Sequence, residues 1–190
     1  GRFAGHPDLG PADYQLVHHA PSGRSAYTFC MCPGGEVIAA ATEAGGVVTN
    51  GMSFHSRTGT NANAALLVGV TPADFPPGAP AALAGLLWQR TLERQAFALG
   101  GGGFAAPAQT VEDFLARRPS RALAQVQATY RPGVTPADFD RLFPDWLTAT
   151  LRQALVEWDR QIPGFAAPDA LLTAIESRSS APLRLLRNDA

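Results

Sequence analysis

The hydrophobic pattern of this chain changes near residue 75, and that change constrains its fold more than any other feature. Before residue 75, short apolar and β-branched runs are separated by glycine-rich turns, which is typical of antiparallel strands. After it, apolar residues recur with the helical period of about 3.6 residues. The sequence therefore predicts an α+β domain, in which an antiparallel sheet or small barrel is followed by a helical layer.

Five strands are predicted in the β-rich part, which we place at residues 12–75. The runs are separated by turns rich in glycine and proline, such as Pro33-Gly34-Gly35. The predicted strands cover residues 14–20, 25–32, 36–42, 47–52 and 62–70.

The helical part is placed at residues 76–180, and its best-defined helix spans residues 80–99. Pro80 suits the first turn of a helix, and Gly100 suits its C-terminal cap. Arg90, Glu93 and Arg94 are expected to cover the face of this helix opposite its apolar stripe. The predicted stripe consists of Trp88, Leu92, Ala96 and Leu99, and a second stripe, of Leu147, Leu151, Leu155 and Trp158, is predicted for the helix at 145–162. Further helices are predicted for residues 110–115, from 135 onward, for 145–162 and for 168–175, and a returning strand is predicted at 183–186, within residues 181–190.

Composition excludes several function classes. The net charge is −1, so the chain lacks the excess of cations that nucleic-acid binding requires. No apolar run approaches the roughly 20 residues that cross a membrane. All 15 basic residues are arginine, which excludes a P-loop lysine and a Schiff-base lysine. Two cysteines are too few for a disulfide framework and agree with a reducing cytoplasm, where we expect the protein.

The first candidate site is the pair Cys30 and Cys32 on the second predicted strand. Regular alternation would place both thiols on one face of the strand. They are interpreted either as two small buried side chains or as thiols beside a redox centre or substrate. His18 and His19 are adjacent and point to opposite faces, so no metal site is predicted from them.

The second candidate is the polar loop over residues 50–63, since binding groups concentrate on loops carried by a rigid sheet. An ordinary solvated loop is the alternative. A third candidate is Arg178, which lies among hydroxyl side chains and can serve as an anion clamp or as part of a surface turn. The candidate side chains of the loop are Asn50, Ser53, His55, Arg57, Asn61 and Asn63.

Two motifs are rejected because their context is wrong. Residues 51–55 imitate a nucleophile elbow, but His55 stands where its last glycine belongs and loop residues follow. The glycine run at residues 100–103 follows a predicted helix rather than a strand, so it is interpreted as a helix end and not as a phosphate cradle.

Several stretches together resemble a bacterial family of FAD-dependent dehydrogenases, within the NAD(P)/FAD-dependent oxidoreductases. The resemblance runs in order through nearly the whole chain. Its most specific motif is Phe29-Cys30-Met31-Cys32-Pro33-Gly34-Gly35. The matching stretches are residues 12–17, 27–37, 43–53, 61–68, 89–102, 106–109 and 169–180.

The resemblance implies a longer protein in three parts. Two glycine-rich segments hold FAD, and an inserted domain between them forms the substrate side. Residues 1–190 match only this insert, so the termini are expected to be domain junctions. FAD is expected in the parent protein, with none bound to this chain alone, and the domain is expected to be inactive in isolation.

The resemblance also implies which residues face the flavin or the substrate: Cys30, Cys32, Asn50, Arg57, Asn61 and Arg178, with His55 as a candidate for proton exchange. Arg57 or Arg178 would hold an anionic group of a small-molecule substrate. The expected partner is the FAD-binding part of the same chain, and its removal could expose a surface through which the isolated domain dimerises. The alternative is a non-catalytic module that binds a ligand or a partner protein through an exposed apolar patch on its helices.

Overall fold

The structure, a computed structural model, describes residues 15–123 and 126–179. Its first half is β-rich, as predicted, and all of the strand pairs in that half are antiparallel. Strands β1, β2 and β5 form one sheet in the order β1-β2-β5, and β3 pairs with β4 as a hairpin. The strands are β1 (Val17–His19), β2 (Ser25–Cys32), β3 (Gly35–Ala39), β4 (Thr49–Ser53) and β5 (Asn63–Val68).

The antiparallel sheet is thus confirmed, and the small barrel is not, because the described strands form separate sheets rather than one closed sheet. A bulge interrupts β2 near its end. Phe29 lies opposite Ala65 and Cys32 lies opposite Asn63, so β2 contains one residue more than β5 over this interval. Cys30 has a left-handed backbone with φ of 46°.

The second half combines helices with a small sheet. The α-helices are α1 (Ala84–Leu99), α2 (Val111–Leu115) and α3 (Asp145–Gln161), with short 3-10 helices at Pro72–Asp74 and Phe139–Arg141. Three further strands, β6 (Ala106–Thr110), β7 (Val134–Pro136) and β8 (Leu171–Thr173), pair in the order β7-β6-β8.

The small sheet corrects two helix predictions. The helix predicted over residues 168–175 is wrong, because Leu171–Thr173 forms strand β8, antiparallel to β6. The helix start predicted at Thr135 is also wrong, because Val134–Pro136 forms β7, parallel to β6, and the 3-10 turn begins only after Asp138. In both cases pairing with a distant strand overrides a local pattern that suits a helix entry.

The central strand β6 has no counterpart among the predicted strands. All five of its residues are buried, and its alanine and proline content resembles a loop more than a strand. Gln109 on this strand is fully buried. Its Oε1 accepts from the backbone N–H of Phe139 at 2.9 Å, and its Nε2 donates to the carbonyl of Arg118 at 2.8 Å.

The hydrophobic core lies between the strands and the two long helices. The predicted apolar stripes on α1 and α3 are confirmed, because Leu92, Ala96, Leu155 and Trp158 are buried members of one cluster. Glu93 is a correction: we expected it on the polar face of α1, but only 2% of it is exposed.

Parts of the predictions lie outside the described residues, namely the start of the first strand at residue 14 and the returning strand at 183–186. Among the helices in the described part of the chain, none has the length and apolar character needed to cross a membrane.

We predict that Gln109→Leu destabilises the protein by about 2–4 kcal/mol. The substitution keeps the approximate side-chain volume but leaves the buried N–H of Phe139 and the partly buried C=O of Arg118 without their partner. Urea denaturation measures the change. Gln153→Leu on the exposed face of α3 is the control and should stay within about 0.5 kcal/mol of the parent. Equal stabilities for both variants would contradict this role of Gln109.

Candidate functional site

A groove with a volume of about 980 Å³ is lined by residues from both halves of the described chain. The β-rich half contributes Asn50, Asn61 and Asn63, all on or next to β4 and β5. The second half contributes Glu176, just beyond β8, together with apolar side chains such as Trp88. Concave sites with apolar walls and a few polar groups are where proteins usually bind small molecules.

Asn63 is the most unusual polar side chain of this groove. Its Oδ1 and Nδ2 atoms are both buried, and neither has a hydrogen-bond partner among the described residues. The carboxamide lies against two glycines, because a Cβ added to Gly51 would overlap its Oδ1 and one added to Gly35 would lie 2.8 Å from its Nδ2. Buried amide groups are almost always hydrogen-bonded, so this one is suited to a partner outside the described chain.

Glu176 is an acidic residue of the groove whose charge acts on both candidate thiols. Burial raises the pKa of its carboxyl above the ordinary value. None of the hydrogen bonds among the described residues involves its carboxylate. Half-buried carboxyl groups whose pKa is raised by burial concentrate at functional sites.

Cys30 and Cys32 lie beside the groove on the bulged end of β2, and Met31 between them lines it. Both are free thiols. Burial is the main cause that raises the pKa of each thiol, and the negative charge of Glu176 raises both further. The bulge interrupts the regular alternation from which we inferred that both thiols share a face.

His55 and Arg57 lie on the loop after β4, and both are exposed. With Ser53 and Phe54 they line a second, smaller depression of about 420 Å³. Arg57 has a left-handed backbone with φ of 53°, and its carbonyl group lies against Gly34, where no Cβ would fit. This contact fixes the loop beside the end of β2, and the Arg57 charge lowers the pKa of Cys32 against the larger effect of burial.

Asn50 and Asn61 line the groove, and Asn61 also bridges to the second half of the chain. Its Nδ2 donates to the carbonyl oxygen of Gln127 at 2.8 Å. Asn50 lies on β4 opposite Ile38. The substrate-facing role expected of these two side chains stays a prediction.

Arg178 is committed to an ion pair. Its guanidinium donates through Nε and Nη2 to the two carboxylate oxygens of Glu93, at 3.0 and 2.9 Å, and through Nη1 to Thr42. Ser177 and Gln89 donate to the same carboxylate, at 2.6 and 3.0 Å. Burial favours the neutral form of Glu93, but these hydrogen bonds outweigh it and hold its pKa below the ordinary value.

The structure therefore groups the predicted residues in four places. Asn50 and Asn61 line the groove, and Cys30 and Cys32 lie beside it. His55 and Arg57 line the smaller depression, and Arg178 is paired with Glu93. The sequence analysis did not select Glu176, and it named Asn63 only as one member of a polar loop. Their positions in the sequence were the signal that could have identified both residues. Glu176 lies two residues before the candidate Arg178, and Asn63 is the last residue of the candidate loop.

Comparisons with known proteins show the family of this chain. The sequence matches the family described as "FAD-dependent protein, C-terminal domain-like" over residues 1–179. The chain belongs to this family. It is also 45% identical, over 189 residues, to a protein of Clostridium beijerinckii named only as an uncharacterized protein. That alignment covers 99% of this chain and 35% of the relative, so the chain spans about a third of the relative's length.

We predict that Arg178→Ala destabilises the protein by about 2–3 kcal/mol, because it leaves the buried Glu93 carboxylate without its counter-ion. Arg90→Ala is the matched control, since Arg90 pairs with Glu43 and both side chains are more than a third exposed. That variant should lose less than about 1 kcal/mol. Chemical denaturation compares them, and equal losses would show that Arg178 has no special structural role.

The stabilising effect of Arg178 should also depend on pH. The pKa of Glu93 is lower in the folded protein than its ordinary value of 4.5, so the pair contributes stability above that value. The contribution is lost as the pH falls through the folded-state pKa. The difference in unfolding free energy between the parent and Arg178→Ala should therefore shrink below pH 4.5, and a constant difference down to acid pH would contradict it.

Proposed function

We propose that this domain forms the substrate side of an FAD-dependent oxidoreductase, with the FAD-binding segments in another part of a longer chain. Family membership supports the link to FAD. The length of the Clostridium relative supports a parent protein with further domains. An insert over residues 1–190, lack of activity in isolation and a cytoplasmic location belong to the same proposal.

The groove with its unpartnered Asn63 carboxamide is the observation that carries the proposal. A volume of about 980 Å³ accommodates a small molecule together with one face of a flavin ring. The polar groups come from β4, β5 and the segment after β8, which are rigid elements rather than a single surface loop. Such support keeps ligand-contacting groups in a fixed geometry.

The residues present fit the ring of a flavin better than its pyrophosphate. The edge of the isoalloxazine presents both N–H and C=O groups, which carboxamides such as those of Asn50 and Asn63 can match. The glycine run at 100–103 ends helix α1 and begins no helix, so it offers no helix N-terminus to a phosphate. The flavin, held mainly by another part of the protein, would supply the electron chemistry.

Each candidate side chain has a defined task in this proposal. Asn50 and Asn61 orient the substrate along the groove. In the smaller depression, His55 exchanges a proton and Arg57 attracts an anionic group of the substrate. Cys30 and Cys32 remain protonated thiols beside the groove, since burial raises their pKa values.

Arg178 contributes through Glu93 rather than by touching the substrate. Its two hydrogen bonds to that carboxylate fix the segment that also carries Glu176. Arg178 is therefore a positioning residue, and its removal should affect the groove through the placement of Glu176.

A second candidate function has its own supporting observation. Leu83, Leu86 and Leu87, at the start of helix α1, are 47%, 44% and 39% exposed. Adjacent exposed leucines are typical of surfaces that contact another protein or domain. A module that binds a partner protein through this helix is the alternative to the oxidoreductase.

Flavin retention by two proteins tests the proposal. One is this chain, and the other is the longer natural protein that contains it. Both are desalted, and their visible flavin absorbance is measured. We expect flavin only in the longer protein, where Asn63→Leu should weaken substrate binding or shift the flavin spectrum. A longer protein without flavin, even after incubation with FAD, would remove the oxidoreductase proposal and favour the partner-binding module.

A further inference from the structure

The charges that line the large groove all have the same sign. Among the described residues, its lining contains two carboxylates, those of Asp169 and Glu176, and neither arginine nor histidine. Lysine is absent from the whole sequence. The two arginines that we expected to bind a substrate anion lie elsewhere: Arg178 is paired with Glu93, and Arg57 lines the smaller depression.

Of these two carboxylates, that of Glu176 is half-buried and that of Asp169 is exposed. No arginine among the described residues forms an ion pair with Glu176. Its negative charge acts on the thiols of Cys30 and Cys32, and Arg57, which lies outside the groove lining, acts on Cys32. Burying a carboxylate without a counter-ion is costly, which agrees with its raised pKa. A positive charge in the groove would relieve that cost.

Asn63 supplies an independent sign of a ligand at the same place. It lies opposite Cys32 in the β2–β5 ladder, and the Cys32 thiol is within electrostatic reach of Glu176. Both Asn63 and Glu176 line the groove. The buried Oδ1 of Asn63 has no donor among the described residues, and a ligand N–H can provide one.

We propose that this groove binds a small organic cation, an ammonium group on an apolar body, with Glu176 as its counter-ion and Asn63 Oδ1 as a hydrogen-bond acceptor. The apolar walls, which include Leu66, Val68 and Trp88, contact the body of the ligand. No group of three or more metal-ligating side chains lies together in the described residues, which favours an organic cation over a metal ion. The inference rests on the proposed function only in naming the ligand as the substrate. The ammonium group then lies in the groove, and an anionic group of the same substrate would lie outside it, at Arg57 in the smaller depression.

Three probes of equal shape and different charge test the inference: benzylammonium, benzyl alcohol and benzoate. Each is titrated into the 190-residue chain, and binding is followed by amide chemical shifts in NMR spectra. We expect benzylammonium to bind about tenfold more tightly than benzyl alcohol, with shifts at Asn63 and around Glu176, and benzoate to bind most weakly. The absence of benzylammonium binding, or a preference for benzoate, would overturn the inference.

Glu176→Gln should remove the preference for benzylammonium over benzyl alcohol while leaving the binding of benzyl alcohol unchanged. The unchanged neutral probe also shows that the variant groove is folded. Glu157→Gln is the control, since Glu157 lies on the surface of α3 and pairs with Arg160. It should keep the full preference. A preference that survives in Glu176→Gln would refute the role of this carboxylate.

The outcome is independent of the flavin measurement. The titration uses no FAD, so a cation-selective groove in a protein that never holds flavin would preserve this inference and remove the proposed function. A longer protein that contains flavin but whose groove shows no charge preference would preserve the proposed function and remove this inference.

Discussion

The buried carboxylate of Glu93 holds the two halves of this domain in their relative positions. Its side chain accepts hydrogen bonds from Ser177 and Arg178 in the segment after β8. Its backbone carbonyl accepts from the N–H of Val47, just before β4, at 3.0 Å. Helix α1, the loop before β4 and the last described segment therefore meet at one residue. The placement of Glu176 depends on this junction, because its two following neighbours are anchored there.

Two glutamates of the same region show how partners, rather than burial alone, decide the state of a carboxyl group. Glu93 is almost fully buried, but three side chains donate to it and its pKa is lowered. Glu176 is less buried and has no donor among the described residues, so burial raises its pKa. The first carboxylate is satisfied and structural, whereas the second is available to a ligand or a proton. Opposite pKa shifts of neighbouring acids often separate structural from chemical roles.

The groove exists because the second half contains its own sheet. Strand β8 pairs with β6, which brings the segment after residue 173 back towards the β-rich half. The backbone of Thr49 donates to the carbonyl of Ile175 at 2.8 Å, which joins β4 to this segment. Had residues 168–175 formed the predicted helix, this connection to β4 would be lost. The carboxamides of the first half and the acid of the second half face a common space only in the observed topology.

The sequence alone determined the α+β class, the apolar stripes of α1 and α3, the bounds of β2 and α2, and the family. These features depend on local spacing or on short motifs, such as residues 29–35 with their two cysteines and two glycines. They can be identified without knowing which segments of the chain contact each other. It did not determine strand β6, whose alanines and proline form a strand only because β7 and β8 pair with it. Nor did it show that Glu93 is buried or that Arg178 is paired with it, since these two residues are 85 positions apart in the chain. Only the tertiary structure decided which charges neutralise each other and which ones line the groove, because the energy of a buried charge depends on its neighbours in space rather than along the chain.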